Sequence, residues 1–280
     1  MKYFITGVTG SLGQTVTKKL LADGHEVVGF SRDEQKQRAM GWHTNLDLRL
    51  GDVRDLDSVL DHSRGCDQII HCAALKCVDT LEKFPLEVIK TNVLGTQNVL
   101  KARRINRIQG MKLASTDKAC YPVNAYGMSK ALAERLTLND GGSVCRYGNV
   151  LASRGSVIPM FVESLTQENK VYLTDGQMTR FFLRLETAAD FVLGVEGPGL
   201  HIPPIKAARI KNVARSVARL LGCKNIDIEF IGVRPGEKIH ECLRTQFEGD
   251  ELHSNTPHIQ MAETEIDELI APVVDSLCKG

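Results

Sequence analysis

Apolar positions along the chain fall into short runs separated by longer amphipathic segments. In the first half, six short apolar runs have the character of strands, in Lys2–Thr6, Glu26–Phe30, Leu46–Leu50, Gln68–His71, Met111–Ser115 and Val144–Tyr147. Helical spacing separates them, in Leu12–Leu21, Asp55–His62, Leu86–Arg103 and Ala125–Leu138. Strands separated by helices pair in parallel through right-handed crossovers, so the pattern predicts a doubly wound α/β sheet.

The second half of the chain is less regular. It contains helical patterns in Val157–Leu165, Ala188–Val195 and Ile210–Leu221, and strand patterns in Val171–Leu173, Arg180–Leu183 and Ile226–Ile231. Prolines and glycines between residues 197 and 204 interrupt the periodicity. We therefore predict one domain over residues 1–150, to which residues 185–200 return, and a smaller α/β lobe over 151–280 with a cleft between them.

Composition excludes several classes of protein. The 35 basic and 34 acidic residues of the 280-residue chain leave a net charge of +1, which gives no field to hold nucleic acid. No apolar run approaches the ~20 residues that span a bilayer. The eight cysteines form no Cys-x-x-Cys pair and the eight histidines have no metal-ligand spacing, so we predict reduced thiols, no metal site and a cytoplasmic location.

A glycine-rich turn joins the first strand to the first helix. Its sequence is Thr6-Gly7-Val8-Thr9-Gly10-Ser11-Leu12-Gly13. Glycines let the backbone turn tightly and approach a pyrophosphate, and the following helix N-terminus favours an anion. The glycines do not follow Gly-x-Gly-x-x-Gly, but their strand–turn–helix context predicts a Rossmann-type dinucleotide site, with contacts from Gly7, Thr9, Gly10, Ser11, Leu12 and Gly13.

The ends of the second and third strands bear on the choice of dinucleotide. A carboxylate after the second strand binds the ribose hydroxyls of NAD, whereas Arg with Ser suits the 2′-phosphate of NADP. Ser31-Arg32-Asp33 stands there, and because Ser31 and Arg32 come first the sequence favours NADP over NAD. Asp52-Val53 follows the third strand, where Asp52 can accept a hydrogen bond from adenine. A solvated loop charge at Arg32 and a plain turn residue at Asp52 are the alternatives.

Two further motifs carry chemistry. In Tyr126-Gly127-Met128-Ser129-Lys130, Tyr126 and Lys130 share a helix face, and an ammonium beside a phenol lowers the pKa of the phenol. Tyr126 can then exchange a proton with a substrate hydroxyl. Thr116-Asp117-Lys118 ends the fifth strand, and its acid and base allow an elimination; a surface Asp–Lys ion pair is the alternative.

These residues and several later motifs resemble the extended short-chain dehydrogenase/reductases. The closest resemblance is to the C5-inverting UDP-N-acetylglucosamine 4,6-dehydratases of the polysaccharide biosynthesis family. It rests on Ser31-Arg32-Asp33-Glu34, His71-Cys72-Ala73-Ala74-Leu75-Lys76, Ser115-Thr116-Asp117-Lys118-Ala119, Tyr126-Gly127-Met128-Ser129-Lys130, Arg146-Tyr147-Gly148-Asn149-Val150, Ser153-Arg154-Gly155-Ser156-Val157, Met178-Thr179-Arg180-Phe181 and Arg234-Pro235-Gly236-Glu237-Lys238.

The resemblance implies specific roles. Tyr126, assisted by Lys130, takes the 4-hydroxyl proton; Lys118 removes the C5 proton; Asp117 protonates the departing 6-hydroxyl; and Thr116 orients the substrate. It implies an NADP-binding first domain, with Ala73, Ala74 and Lys76 also at the cofactor, and a substrate-binding second lobe. Substrate contacts would come from Lys76, Asn149, Val157, Thr179, Arg180, Arg234 and Glu237.

The resemblance also implies a homodimer or hexamer built on the helices Leu86–Arg103 and Ala125–Leu138, whose apolar faces could equally be buried within one subunit. Interdomain ion pairs are the alternative for Arg180 and Arg234. Three other functions stay open. They are a nucleotide-sugar epimerase or reductase of the same fold, a dehydratase for another sugar nucleotide, and a non-catalytic NADP-binding regulator.

Overall fold

The computed structural model describes residues 1–151 and 156–278 as two compact units. The first unit comprises residues 1–146 and 188–202, and the second comprises 147–187 and 203–280. Residues Ser153-Arg154-Gly155 of one resemblance motif lie outside the described residues. In the parts that are described, no helix combines the length and apolar character that a membrane crossing requires.

A seven-stranded sheet forms the first unit, in the order β10-β6-β5-β4-β1-β2-β3. The strands are β1 Lys2–Thr6, β2 Glu26–Ser31, β3 Leu46–Leu50, β4 Gln68–His71, β5 Gly110–Thr116, β6 Ser143–Tyr147 and β10 Gly199–His201. Registered pairs such as β1–β2 and β1–β4 are parallel, which confirms the predicted doubly wound sheet. Strand order reverses between β1 and β4, and ligands of such sheets bind where the strands end at this switch point.

The helices of this unit are α1 Ser11–Ala22, α2 Glu34–Arg38, α3 Leu56–His62, α4 Val78–Leu81, α5 Pro85–Val88, α6 Gly95–Ile105 and α7 Ala125–Asn139. Asp55 caps α3 as predicted, because its carboxylate accepts from the amides of Asp57 and Ser58. The sheet packs on them through a core that includes Phe4, Phe30 and Ile69, all fully buried.

The predicted single helix Leu86–Arg103 is wrong in one respect. A π-helical segment, Ile89–Leu94, separates α5 from α6, so the chain winds more widely there than in a regular α-helix. Such segments are frequent at functional sites. The wider winding changes which side chains face the sheet. The spacing of apolar residues alone does not reveal a π-helical segment.

In its described residues, the second unit consists of short strands and helices. Its strands are β7 Asn149–Val150, β8 Lys170–Leu173, β9 Thr179–Leu183, β11 Lys206–Arg209, β12 Asp227–Phe230, β13 Cys242–Arg244 and β14 Leu252–His253. They pair as β11-β9-β7, β12-β8 and β13-β14. The helices are α8 Val157–Glu168, α10 Ile210–Leu220 and α11 Glu263–Cys278, and α9 Leu185–Gly194 begins in this unit and ends in the first.

Candidate active site

A cavity of about 600 Å³ lies at the carboxyl ends of β1, β2, β3 and β4. Nine of the residues predicted to bind the cofactor line it, namely Gly7, Thr9, Gly10, Ser31, Arg32, Asp52, Val53, Ala73 and Ala74. The predicted contacts Ser11, Leu12 and Gly13 begin α1 beside it, and Lys76 lies exposed between β4 and α4. The cavity occupies the switch point of the sheet, where this fold class places a nucleotide.

The glycine turn fits a dinucleotide because close backbone approach leaves no room for side chains. Gly7 has φ +69°, and a Cβ added there would lie 2.7 Å from the Ala73 amide nitrogen. A Cβ on Gly13 would lie 2.5 Å from the Gly7 carbonyl oxygen, so α1 packs directly on the turn. Backbone amides at a helix N-terminus are the groups that hold a pyrophosphate.

Charged residues at the ends of β2 and β3 form ion pairs with one another and with nearby side chains. These pairs affect which charged groups can bind a cofactor. Asp33 caps α2 by accepting from the Lys36 amide at 3.0 Å, and it also pairs with the Lys36 ammonium. Asp52 lies between Arg54, at 2.6 Å, and Arg32, at 3.5 Å. Burial acts to raise the pKa of Asp52, but its hydrogen bonds with Arg54 and the charge of Arg32 hold that pKa below its usual range.

The predicted acid, base and phenol meet at the end of β5. The buried Asp117 carboxylate accepts hydrogen bonds at 3.0 Å from the Thr116 hydroxyl and from the Lys118 ammonium. Tyr126, in the first turn of α7, is hydrogen-bonded to the Thr116 side chain, and the charges of Asp117 and Lys118 act on its pKa. Thr116, Asp117, Lys118 and Tyr126 therefore form one hydrogen-bonded and electrostatically coupled group.

The structure corrects the expectation that Lys130 lowers the pKa of Tyr126. Burial raises the pKa of Tyr126 to about 12, and the cation that opposes this rise is Lys118. Lys130 instead donates from Nζ to the Ala114 carbonyl at 2.7 Å. Burial lowers the pKa of Lys130 to about 8, although the Glu134 charge acts to raise it. A shared helix face brought the two side chains close without making Lys130 the main charge on the phenol.

Gly127 allows α7 to approach the acid–base turn. A Cβ at this position would lie 2.3 Å from the Lys118 carbonyl oxygen. The Asn124 side chain caps the helix by accepting from the Gly127 amide at 2.7 Å. Cap and glycine together bring Tyr126 against the turn that carries Asp117 and Lys118.

The remaining predicted substrate residues lie in the second unit. Asn149 is on β7, Val157 begins α8, and Thr179 and Arg180 are on β9. Arg180 is buried and donates to the Thr179 and Ile239 carbonyls at 2.8 and 3.1 Å; its partner carboxylate, Glu241, belongs to the same unit rather than to the other domain.

Thr179, Arg234 and Glu237 also form hydrogen bonds within the same unit. The buried Thr179 hydroxyl contacts His240 and Ser254 at 2.8 and 2.6 Å. Arg234 and Glu237 form a turn in which the Arg234 amide donates to the Glu237 carboxylate at 3.3 Å.

Sequence reasoning missed several residues around the cavity. Thr91, within the π-helical segment, lines the cavity and its buried hydroxyl has no hydrogen-bond partner among the described residues. Asn92 bonds the Leu75 amide and carbonyl and the Ser129 hydroxyl, which ties the β4 end to α7. Gln37 donates to the Ser31 hydroxyl at 2.9 Å. None of the three stands in a motif whose spacing signals its position.

Metal binding has no candidate in the described ranges, where no group of three or more His, Cys, Asp or Glu could hold an ion. The group at the end of β5 thus consists of hydrogen-bond donors, acceptors and two lysines, and it can exchange protons with a bound hydroxyl compound.

Known proteins resemble the chain in sequence and in fold. Residues 3–264 match the model of a family described as polysaccharide biosynthesis protein. The UDP-glucose 4-epimerase of Rickettsia typhi (strain ATCC VR-144 / Wilmington) is 42% identical over 261 residues, covering 85% of this chain and 76% of the relative.

Among solved structures, Pen from Bacillus thuringiensis has a TM-score of 0.90 at 28% identity and covers 97% of this chain and 98% of its own. DesIV, a dTDP-glucose 4,6-dehydratase from Streptomyces venezuelae with NAD and TYD bound, has a TM-score of 0.82 at 20% identity. That alignment covers 100% of this chain and 98% of DesIV, and it shows a shared fold.

Proposed function

The chain belongs to the polysaccharide biosynthesis protein family, and from this premise we propose that it is an NADP-dependent UDP-N-acetylglucosamine 4,6-dehydratase. The product is a UDP-linked 4-keto-6-deoxy sugar, with inversion at C5. The observation that carries the proposal is the group formed by Thr116, Asp117, Lys118 and Tyr126, because it places an acid and a base beside the phenol.

Tyr126, Lys118 and Asp117 each transfer one proton, and Thr116 orients the substrate. NADP would be held by the glycine turn and Arg32, and it would supply the oxidant for C4 and, once reduced, the reductant for C6. Tyr126 takes the proton of the 4-hydroxyl, and the Lys118 charge beside it favours the phenolate. The resulting ketone acidifies the proton on C5. Lys118 first passes its ammonium proton to Asp117 across their hydrogen bond and then, as a neutral amine, removes the C5 proton as the base. Asp117 then protonates the departing 6-hydroxyl, so that water leaves and a proton later returns to C5 from the opposite face.

NADP is supported over NAD by how the charges near Ser31 are used. The carboxylate that would bind ribose hydroxyls, Asp33, caps α2 and pairs with Lys36. Arg32 lines the cavity with half of its side chain exposed, and guanidinium groups bind phosphate through paired, charge-assisted hydrogen bonds. Arg234, in the second unit, is proposed to bind the substrate diphosphate for the same reason.

A homo-oligomer is supported by apolar side chains on the exposed surface of neighbouring helices. Leu86 and Ile89 are exposed around α5, and Met128 and Leu132 are exposed on α7, which packs against that segment. Contiguous exposed apolar groups of this kind mark protein contacts, and a second copy presenting the same face would cover them.

A UDP-sugar 4-epimerase is the second candidate function. It is favoured by the similarity to relatives such as the UDP-glucose 4-epimerase of Rickettsia typhi. An epimerase needs Tyr126 and Lys130 but has no step for an acid and a base that eliminate water, which is why Asp117 and Lys118 favour the dehydratase.

Variants of the elimination residues test the proposal. Asp117→Asn protein, mixed with UDP-N-acetylglucosamine, should still form reduced cofactor, seen by its absorbance, but should release no dehydrated product by mass spectrometry. Lys118→Met should also form reduced cofactor without dehydrated product, but more slowly, because it lacks the charge that favours the Tyr126 phenolate. Tyr126→Phe should lose both events while still binding NADP. Wild-type epimerisation without loss of water would overturn the dehydratase in favour of the epimerase. A protein that binds NADP but changes no sugar nucleotide would instead be a regulator.

A further inference from the structure

A buried ion pair lies directly behind the acid–base group. It joins Glu134 of α7 to Arg146 of β6, and each residue is only 3% exposed. The Arg146 guanidinium donates through Nε to Glu134 Oε1 at 3.0 Å and through a terminal nitrogen to Oε2 at 2.5 Å. This two-point contact fixes the plane of the carboxylate.

The pair also holds the end of β5. The Ser115 hydroxyl donates to Glu134 Oε1 at 2.5 Å, and Ser115 immediately precedes Thr116. A second guanidinium nitrogen of Arg146 lies 3.9 Å from Cys120 Sγ, just after the turn that carries Asp117 and Lys118. Both ends of the acid–base turn are therefore attached to one ion pair.

Lys130 binds Ala114, the residue that precedes Ser115. Its ammonium donates to the Ala114 carbonyl, and Glu134 lies one helical turn further along the same buried face of α7. Lys130 and Glu134 thus bind two consecutive residues of β5, so the phenol-bearing helix and the acid–base turn are fixed to each other at adjacent points.

We propose that Glu134, held by Arg146, is a positioning residue for the reaction. Its carboxylate fixes the end of β5 against α7, and it supplies the buried negative charge that keeps Lys130 an ammonium. The proposal deepens the proposed function, but the position of Tyr126 and the charge of Lys130 matter equally to dehydration and to epimerisation.

Glu134 is the group near Lys130 that supplies a negative charge. Burial raises the pKa of the nearby Cys72 thiol to about 12, so the thiol is neutral at physiological pH. Burial and the Lys130 charge lower the pKa of His71, on β4, to about 3, so it is neutral as well. Burial raises the pKa of Tyr126, on the same helix, to about 12, so in the resting protein it is a neutral phenol and it becomes a phenolate only during turnover. Among the described groups that act on Lys130, Glu134 is therefore the one that carries charge.

A titration of Lys130 tests the charge directly and needs no substrate. In protein labelled with ¹³C at lysine Cε, the signal that disappears in Lys130→Met is followed against pH. We expect a midpoint near 8 in the wild type and a midpoint lower by about one pH unit or more in Glu134→Gln. Asp140→Asn is the matched control, because Asp140, at the C-terminal cap of α7, forms its ion pair with Arg103 of α6 rather than with Lys130. An unchanged midpoint in Glu134→Gln would overturn the electrostatic half of the proposal.

Turnover tests the positioning half. Glu134 raises the pKa values of both Tyr126 and Lys130, so its loss should move both limbs of the kcat–pH profile to lower pH. Ser115→Ala keeps the charge and removes the hydroxyl link, so kcat should fall about tenfold or more with no shift of the profile. A wild-type kcat in Ser115→Ala, or a Glu134→Gln profile that only drops in height, would show that the cluster is merely structural.

A variant that does not fold, and a failure of the proposed function, can each be told apart from a failure of this proposal. Glu134→Gln leaves the Arg146 charge buried without its partner, so if that variant does not fold, Glu134→Gln with Arg146→Met replaces it, since neutral replacements of a buried pair are tolerated. If the wild type converts no nucleotide sugar, the proposed function fails while the Lys130 titration still decides the role of Glu134.

Discussion

Replacing Gly127 by alanine should separate catalytic geometry from folding. The new Cβ would lie 2.3 Å from the Lys118 carbonyl oxygen, whereas ordinary contact begins at 3.4 Å. The first turn of α7 and the Asp117–Lys118 turn must therefore move apart by roughly 1 Å. A displacement of that size costs on the order of 100-fold in rate when it misplaces reacting groups. Alanine also favours a helix over glycine by up to ~1 kcal/mol, which offsets part of the strain in the folded state.

The assay compares kcat, NADP affinity and Tm in Gly127→Ala and in a matched control. Gly194 is also helical, but nothing lies within 4 Å of a Cβ added there, so Gly194→Ala should keep wild-type kcat. We expect Gly127→Ala to lose about 100-fold in kcat with nearly unchanged NADP affinity. A Gly127→Ala protein with wild-type kcat would refute the argument that the distance between Tyr126 and the Lys118 turn governs the reaction.

Three further predictions address the cofactor, acid stability and assembly. Arg32→Ala should weaken NADP binding about tenfold or more in a fluorescence titration and leave NAD binding nearly unchanged; equal weakening of both would count against a 2′-phosphate contact. His71, buried between the Thr6 and Thr96 hydroxyls, has its pKa lowered to about 3, so below pH 6.5 the unfolded chain binds a proton that the folded chain does not. The free energy of unfolding should therefore fall between pH 6.5 and 3, by on the order of 4 kcal/mol from this group, and urea titrations of His71→Asn should show a correspondingly smaller fall. Leu132→Asp should reduce the mass measured by sedimentation to that of one chain, whereas Trp42→Ser, a change at a still more exposed apolar residue between α2 and β3, should not; an unchanged mass in Leu132→Asp would reject the α5–α7 face as the contact.

Six of the seven strands in the sheet of the first unit were predictable because each is a distinct apolar run. β10 Gly199–His201 was not predicted, because it lies where prolines and glycines interrupt the periodicity. Lys2–Thr6 and Gln68–His71 were placed at the bounds the structure gives, and turns rich in glycine marked where helices begin. The π-helical segment and the C-terminal helix Glu263–Cys278 were not predicted. A π turn depends on how the helix packs, and Pro272 within the C-terminal helix weakens its helical pattern.

The candidate site was predictable where a motif places neighbours on one turn or one helix. Asp117, Lys118 and Tyr126 meet as their spacing suggested, since β5 ends beside the start of α7. The pKa of Tyr126 was misjudged because burial, which a sequence does not show, outweighs the nearby ammonium groups. Glu134 was missed for the same reason: one turn beyond Lys130, a carboxylate looks like a solvated helix charge until Arg146 is seen against it.

The dehydratase activity is tested most directly by mixing the purified protein with UDP-N-acetylglucosamine in D₂O, without added cofactor, and following mass and proton NMR. We expect loss of water, a new 6-methyl signal and deuterium at C5, with the stereochemistry at C5 inverted. A sugar that epimerises at C4 and keeps its 6-hydroxyl would contradict the assignment of Asp117 and Lys118 to elimination.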